Sequence, residues 1–421
     1  MANSLVTPTK VIKEVAAELI NNIRFAKKAN RSYDSQYSEG GAKVGYTVNA
    51  RLPQRYKVTK GQALTTTAVD DQVVPITITD QAHVGIEFST ASLTMEIDDY
   101  KKRYIAPAVS ALTNAIDYDG LQRMYQSVWM CVGQPGVVPG STGTLPAAAN
   151  LVYLNAGTKL SEGAVPVDGR VAMLSPNMHA YLSSANMTLF NPASYVSDAF
   201  QKGMFGSQAL GIDEWFSTQN VATHTTGQLG GTPALASAPS EGATSLSLSG
   251  WTAAAANRLK KGDVIQVAGC YSINPMNYQS TGRLQDFVVT ADCDSAADGT
   301  ATVSISPAMI TTGVRQTVSG LPLSGALVSV YEKAAANQSD VASKASPQAL
   351  VYHPDAFALV MADLEMPGGL WVAERISSKQ LGISVRFLKD YDISSDQSPA
   401  RLDILYGWKC IRPELACRVA S

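Results

Sequence analysis

The apolar positions at the start of the chain recur with a helical period. They follow Thr7-Pro8, where Thr can cap a helix and Pro suits the first helical position. Their three- and four-residue steps predict an amphipathic helix that needs a partner surface, in its own subunit or in a neighbour's. The members of the stripe are Ile12, Val15, Leu19, Ile23 and Ala26.

Residues 44–90 change to a two-residue alternation, which predicts two antiparallel strands that form a long ribbon. Both faces are polar near the ribbon tip, around the Thr-rich 65–67 and the acidic turn Asp70-Asp71. A ribbon too polar to pack on a core of its own is marginal alone, so we expect it to lie across another surface. The alternating segments are 44–48, 55–60, 74–78 and 84–88.

Helical spacing returns after the ribbon. Asp98-Asp99 suits the N-terminal end of a helix, and the pattern continues to about Trp129, with Pro107 as a kink or a fresh start. A loop at 134–143 follows, and the next segments predict an α/β stretch that ends near 217–220. Its elements are a helix at 155–162, a buried strand at 170–176 and a helix at 177–184.

A β-type module interrupts this pattern between Thr223 and Ser343. It opens with an Ala/Ser/Gly/Thr-rich lead-in to Gly250, in which Glu241 is the single charge. The turn Lys261-Gly262-Asp263 and a later turn at Asp298-Gly299 separate runs of strand-forming residues. These runs are 264–267, 286–290 and 300–305. We therefore expect an inserted all-β, barrel-like module whose two ends lie close together.

The chain then returns to the earlier unit. The pattern predicts strands at 348–353 and 383–388, a helix at 354–364 between them, and strands in the terminal stretch 401–419. The fold class predicted for the whole chain is α+β.

Charge is scarce and unevenly distributed. Of the 421 residues 45% are hydrophobic and only 16% are charged, against about 25% in ordinary soluble domains. Residues 1–60 carry eleven Lys and Arg against four acids, a net of +7, which leaves −9 for the rest because the chain totals −2. Opposite charges on one chain can pair between copies, and a plain solvated basic helix face is the alternative.

The remaining composition excludes several classes of protein. The five cysteines are odd in number and widely spread, so no disulfide framework is implied and a reducing cytoplasm fits best. The first residues lack a basic segment followed by an apolar core, which argues against a secretory signal. No apolar run approaches the roughly 20 residues that span a bilayer.

The sequence contains no familiar catalytic arrangement. It has no nucleophile elbow, zinc-protease motif, phosphate loop or dinucleotide fingerprint, and its four histidines lack metal-ligand spacing. Asp292-Cys293-Asp294 imitates the start of a calcium loop, but its spacing fits an ordinary β-turn better. We predict no catalytic, cofactor-binding or metal-ligating residue, and therefore a protein that is not an enzyme.

Three short segments resemble the major capsid proteins of tailed phages with the Hong-Kong-type fold. More narrowly, they are similar to the coat proteins of short-tailed enterobacterial phages, which carry an inserted "I domain". The carriers are Leu259–Asp263 with Ile265 and Ala268-Gly269, the pair Tyr406-Gly407 with Arg412–Glu414, and the basic run from Ala26 to Tyr33.

The resemblance implies a domain order and a function. The implied product is an icosahedral virion head, built in the host cytoplasm from pentamers and hexamers around double-stranded DNA. The implied partners are other copies of the chain, a scaffolding protein, a portal and non-specifically packaged DNA, without a membrane or a cofactor. The implied divisions are an N-arm (1–43), an E-loop ribbon (44–92), a P domain with its spine helix (93–135), the first part of an A domain (136–222), the I domain (223–343) and the return with the C-terminal strands (344–421).

The ribbon supplies the candidate contact residues. Arg55 and Lys57 share a face of an alternating strand, and we expect the charges around the tip to meet a neighbouring subunit. The predicted intersubunit residues are Arg51, Arg55, Lys57, Lys60, Asp70 and Asp71. The alternative functions are an encapsulin-like compartment shell, a β-rich adhesin or binding module, and an unrecognised enzyme.

Overall fold

Two compact units account for the residues that the structure, a computed structural model, describes. The first comprises the described residues of Met1–Leu52, Val73–Gly120 and Phe357–Ile411, and the second those of Pro53–Gln72, Leu121–Ala356 and Arg412–Ser421. The described residues are 24–32, 47–58, 60–62, 66, 71–89, 106–141, 146–187, 209–253, 257–333, 335–370, 372–378, 383–393 and 397–421.

The first unit is built on one long strand, β18, that neighbouring strands flank on both sides. β3 pairs antiparallel with most of its length, while β15 and β17 pair with its two ends, and β16 follows β17 at the edge. A separate antiparallel pair, β1–β2, forms the base of the predicted ribbon. The bounds are β1 Thr47–Arg51, β2 Val73–Thr77, β3 Asp80–Ser89, β15 Phe357–Ala362, β16 Val372–Ser378, β17 Ile383–Lys389 and β18 Gln397–Cys410.

Helix α1, Ala106–Met124, confirms the predicted helical stretch over the residues described there, and a 3-10 turn, Tyr125–Ser127, follows it. Val109, Leu112 and Ile116 lie on one stripe at three- and four-residue steps and are buried. The apolar spacing of the sequence therefore places this helix and its buried face correctly.

The second unit contains a mixed sheet with the order β4-β19-β14-β5-β6, in which β7 also pairs with β14. The pairs β4–β19 and β5–β6 are parallel, whereas β14 is antiparallel to both of its neighbours. Helices α2 and α3 belong to this unit and confirm the helices predicted around 155–162 and 177–184. The bounds are β4 Cys131–Gly133, α2 Pro146–Glu162, β5 Val171–Leu174, α3 Pro176–Met187, β6 Glu214–Ser217, β7 Thr223–Thr225, β14 Ala345–Tyr352 and β19 Ala416–Ala420.

The inserted segment forms a six-stranded antiparallel sheet with the order β13-β10-β11-β12-β9-β8. Its two edges meet, because Leu235 N donates to Ala326 O at 2.9 Å and Gly325 N donates to Leu235 O at 2.8 Å. The sheet is therefore closed into a barrel around an apolar core. The bounds are β8 Gly231–Leu235, β9 Ala243–Trp251, β10 Val264–Ile273, β11 Ser280–Val289, β12 Ala301–Met309 and β13 Val328–Val330.

The predicted helix at 354–364 is wrong. Only Pro354–Ala356 is helical, as a 3-10 turn, and Phe357–Ala362 is strand β15, paired with Cys410 to Leu405 of β18. Ala, Leu and Met are good helix formers, but helix propensity is only a weak preference, and the pairing of β15, in which almost every residue is buried, overrides it.

The ribbon is shorter than the alternation predicted. Residues 52–58 form no strand, and the segment 84–88 belongs to β3, which pairs with β18. Most of the predicted amphipathic helix after Thr7, together with Asp70 and Asp98-Asp99, lies outside the described residues, and its last apolar member, Ala26, begins a 3-10 turn, Ala26–Lys28. No helix in the described ranges is long and apolar enough to cross a membrane.

Candidate functional site

The turn Lys261-Gly262-Asp263 lies where the barrel leaves the mixed sheet. Gly262 has φ +101°, and a Cβ atom there would lie 3.3 Å from His224 Cε1, so both conformation and space favour glycine. Its carbonyl oxygen accepts a hydrogen bond of 2.8 Å from Nη1 of Arg418 on β19. The short motif singled out in the sequence is thus the attachment point of the barrel.

Asp263 is completely buried and organises this attachment point. Its Oδ2 accepts from Lys260 N at 2.8 Å and from Gly227 N at 3.1 Å. Its Oδ1 accepts from His224 Nε2 at 2.9 Å and from the Tyr331 hydroxyl at 3.4 Å. Burial, followed by the nearby Asp263 charge, raises the pKa of Tyr331 well above its usual value, so its hydroxyl stays a donor.

Arg418 and Tyr125 complete what we call the root network: Tyr125, His224, Asp263, Tyr331 and Arg418. The Tyr125 hydroxyl lies 3.3 Å from His224 Nδ1, and the Arg418 guanidinium lies 5.8 Å from the centre of the Tyr125 ring. Arg418 is fully buried, yet its Nε and Nη2 have no hydrogen-bond partner among the residues that the structure describes. The buried Arg418 guanidinium is therefore held by the Tyr125 ring and the Gly262 carbonyl rather than by a carboxylate.

A second buried group, the Lys159 cluster, joins α2 to the barrel: Lys159, Gln266, Asp286 and Glu332 with the backbone of Cys131. Lys159 Nζ donates to Asp286 Oδ2 at 2.7 Å, to Glu332 Oε1 at 2.9 Å and to Cys131 O at 2.6 Å. Asp286 also accepts from Gln266 Nε2 at 2.6 Å and from Cys131 N at 3.2 Å. Burial opposes the Lys159 charge, but the two carboxylates outweigh it and raise the pKa of Lys159.

In the first unit, Asp117 of α1 clips the segment that precedes the ribbon. Its carboxylate accepts three backbone N–H groups, from Arg24 at 2.9 Å, Phe25 at 3.2 Å and Ala26 at 3.0 Å. Burial raises the pKa of Asp117, and the three backbone hydrogen bonds oppose this rise. The clip therefore attaches residues 24–26 to helix α1.

Aromatic packing supports the same clip. The rings of Phe25 and Trp408 stack with centroids 4.9 Å apart, and Trp408 Nε1 donates to Ile116 O at 3.1 Å. A Cβ atom at Gly120 would lie 2.6 Å from Trp408 Cε2, so α1 needs glycine where the stack rests on it.

The predicted intersubunit residues around the ribbon tip do not form one cluster in the structure. Arg51 ends β1 and is exposed, and Lys60 is also exposed. Arg55 Nη2 lies 3.2 Å from Glu414 Oε1, and Lys57 Nζ lies 5.1 Å from the centre of the Tyr278 ring, both within the second unit. Asp71 accepts a hydrogen bond from Gln54.

The two alternate positions at the tip are apolar and exposed. Tyr56 is 69% exposed and Val58 is 86% exposed. Arg55 and Lys57 contact groups of their own chain, and Tyr56 and Val58 are exposed together with Arg51 and Lys60.

Sequence reasoning identified the Lys261–Asp263 turn and the ribbon tip but missed Asp117, Lys159 and Arg418. Arg418 carried a signal, since it interrupts the apolar run of β19, where every residue is buried. Lys159 likewise stands next to buried Leu160 in the apolar stripe of α2. A charge within an apolar stripe indicates a buried partner, but not which partner.

The cysteines contribute to packing. None of the five, all of which lie in the described ranges, forms a disulfide, and four are buried. Burial raises the pKa of Cys131 to about 11 and that of Cys270 to about 12, so these thiols stay protonated and unreactive. Among the described residues, no three His, Cys, Asp or Glu side chains form a group that could hold a metal ion.

A family model described as "P22 coat protein - gene protein 5" matches residues 1–418. No functionally curated protein matches the chain. Three solved structures illustrate the structural comparison: Mycobacterium phage Che8 (14% identity, 94% of this chain and 90% of that one, TM-score 0.48), the capsid of Ralstonia phage GP4 (9%, 95% and 88%, 0.45) and a virus-like particle from Pyrococcus furiosus (8%, 98% and 98%, 0.40). Because these TM-scores lie below 0.5, the family assignment depends on the family model alone.

Proposed function

We propose the detailed function from one premise: the chain belongs to the P22 coat protein family and is a major capsid protein that forms an icosahedral shell. The predicted α+β class and Hong-Kong-type capsid fold agree with this membership. We propose that the shell is a virion head of pentamers and hexamers around double-stranded DNA, assembled in the host cytoplasm. The proposed partners are a scaffolding protein, a portal and the packaged DNA, and the chain has no enzymatic activity.

The observation that carries this proposal is the family match over 1–418, nearly the whole chain. The low charge content and the opposite signs of residues 1–60 and the remainder support contacts between copies. Co-expression with a scaffolding partner tests the finer statement: particles should sediment as closed shells, and subunits without the partner should yield fewer or irregular ones. Equal, regular shells in both cases would remove the scaffolding protein from the partners.

We also propose the six-part division predicted from the sequence, with 223–343 as an inserted I domain. The close approach of its two ends supports this: β7 pairs with β14, and Ser343 N donates to Gly227 O at 2.9 Å. An insert that leaves and re-enters at neighbouring points can be added to a fold without disturbing it.

The excised segment Thr223–Ser343 is expected to fold by itself, with β-type circular dichroism and a cooperative thermal transition. It lacks Lys159 and Cys131, so its Asp286 keeps only Gln266 as a partner. Asp286→Asn should therefore raise the melting temperature of the fragment but lower that of the full chain, where Lys159 needs the carboxylate. An unfolded spectrum, or the same sign of change in both proteins, would contradict this prediction.

The ribbon tip is proposed to contact a neighbouring subunit through the predicted set Arg51, Arg55, Lys57, Lys60, Asp70 and Asp71. The exposed Tyr56 and Val58 would add apolar area to that contact. Exposed ion pairs are worth about 1 kcal/mol or less each, but a shell repeats each contact many times.

Arg55→Glu combined with Lys57→Glu is expected to leave the subunit folded but to block or misdirect assembly. The fold should survive because Arg55 loses only one partly exposed pair with Glu414. Sedimentation and thermal melting measure the two effects. Arg283→Glu is the matched control, since Arg283 is similarly exposed and paired to Glu162 of its own chain at 3.1 Å. Normal shells from the ribbon variant would exclude these charges from the contact.

A further inference from the structure

The Lys159 cluster has no chemistry to perform in the account above, although the Lys159 ammonium makes three hydrogen bonds at the attachment of the barrel. We propose that it is an orientation latch, which fixes the angle of the inserted barrel on helix α2 so that all subunits present the same shape to their neighbours. The second half of this proposal rests on the proposed shell function, whereas the first half does not.

The geometry joins separate elements at a single ammonium group. Lys159 projects from α2 and contacts Asp286 on β11, Glu332 just after β13 and the Cys131 carbonyl on β4. Glu332 and the preceding Tyr331 both have positive φ, 62° and 48°, in a turn that brings the Glu332 carboxylate to Lys159. Two of these hydrogen bonds reach separate points of the barrel, at Asp286 and Glu332, and the third fixes the ammonium group to β4, so together they restrict rotation of the barrel as well as its distance from α2.

Apolar packing already holds the barrel to the mixed sheet. The barrel core includes Cys131 of β4 and Ala420 of β19, which belong to that sheet. Apolar contacts are non-directional, so they favour contact without setting an angle. The Lys159 cluster adds directional contacts to this packing, beside the Arg418–Gly262 hydrogen bond of the root network.

One side of the junction is open rather than packed. A cleft runs between the end of α2, at Glu162 and Gly163, and the strands β10 and β11, and it reaches Lys159 and Asp286. The barrel therefore has room to tilt on this side. Across the cleft mouth the Glu162–Arg283 pair, at 3.1 Å, is partly exposed and worth little, so the buried cluster is the part that resists tilting.

The energetics favour a role in orientation over a role in stability. Buried ion pairs lose so much hydration that apolar replacements of the whole pair are often as stable or more stable, whereas removal of one partner is costly. A buried Lys–Asp pair at this position therefore contributes to the orientation of the barrel rather than to the free energy of unfolding.

The test replaces the pair as a unit in the full chain. Lys159→Met with Asp286→Leu removes both buried charges and leaves Glu332, which is 57% exposed, to the solvent. The matched control is Glu162→Gln with Arg283→Gln, which removes the exposed pair between the same two elements. Spin labels on ketone-bearing residues at Leu151 of α2 and Ser247 of β9, both exposed, report the angle and spare the native cysteines.

We expect the Lys159→Met/Asp286→Leu variant to stay folded with a lower melting temperature, because Cys131 N and Gln266 Nε2 lose their acceptor, while its label-to-label distance distribution widens at least twofold. Its subunits should assemble into irregular or open particles, and the control should match the wild-type chain in both measurements. An unchanged distance distribution would overturn the latch. This measurement does not depend on shells, so it holds even if the wild-type chain forms none and the proposed function fails. A widened distribution with regular closed shells would overturn its role in assembly.

Discussion

Asp263→Ala is expected to destabilise the second unit by about 3–5 kcal/mol, the usual cost of breaking a buried, hydrogen-bonded charge network. The change leaves Lys260 N and Gly227 N without an acceptor and leaves His224 and Tyr331 without their shared partner. All of these groups are buried or partly buried, so water cannot easily replace the carboxylate. The midpoint of denaturant unfolding measures the effect.

Asp292→Ala is the control for this prediction. Asp292 accepts from Lys261 N at 2.7 Å in the same turn, but it is exposed, so we expect a change of about 0.5 kcal/mol. Similar midpoints for the two variants would show that Asp263 does not organise the root of the barrel.

Asp117→Ala is expected to release the segment around Phe25 from α1 and to cost about 2–3 kcal/mol, because three backbone N–H groups lose one acceptor. The loss should be local. Hydrogen exchange at the amides of residues 24–26 should accelerate, and trypsin should cleave faster after Lys27 and Lys28. Unchanged exchange at these amides would contradict the proposed clip.

The pH dependence of unfolding separates the effect of the Asp117 charge from the effect of the shape of its side chain. Because burial raises the pKa of Asp117 in the folded state, the folded chain binds this proton more tightly than the unfolded chain. The contribution of Asp117 to the free energy of unfolding is therefore greatest below the ordinary pKa of an aspartate. It declines as the pH rises through the raised pKa. Asp117→Asn keeps one acceptor oxygen and should show no such decline, so the two proteins should differ more at neutral than at acidic pH.

Local patterns were sufficient for much of the fold. The apolar stripe of α1, the short runs that became β10, β11 and β12, and the Lys261–Asp263 turn follow from propensity and spacing. The predicted helix at 354–364 was wrong because Phe357–Ala362 carries no alternation that would indicate a strand. Only its pairing with the distant β18 makes it one.

The polar attachments could not be predicted from the sequence because their partners are far apart along it. Lys159 and Asp286 are separated by 127 residues, and Asp117 lies 93 residues from Arg24. A buried charge can be suspected from its apolar neighbours, as at Arg418, but the pairing depends on the complete fold. The charges of the ribbon tip were visible in the sequence, but the own-chain contacts of Arg55 with Glu414 and of Lys57 with Tyr278 were not, and the contact with a neighbouring subunit stays a prediction.

Negative-stain electron microscopy of the full chain, purified after co-expression with the proposed scaffolding protein, tests the central claim most directly. A major capsid protein of this family should appear as closed, regular, icosahedral shells. A population of folded monomers at high concentration, with the partner present and no shells on the grid, would contradict the account.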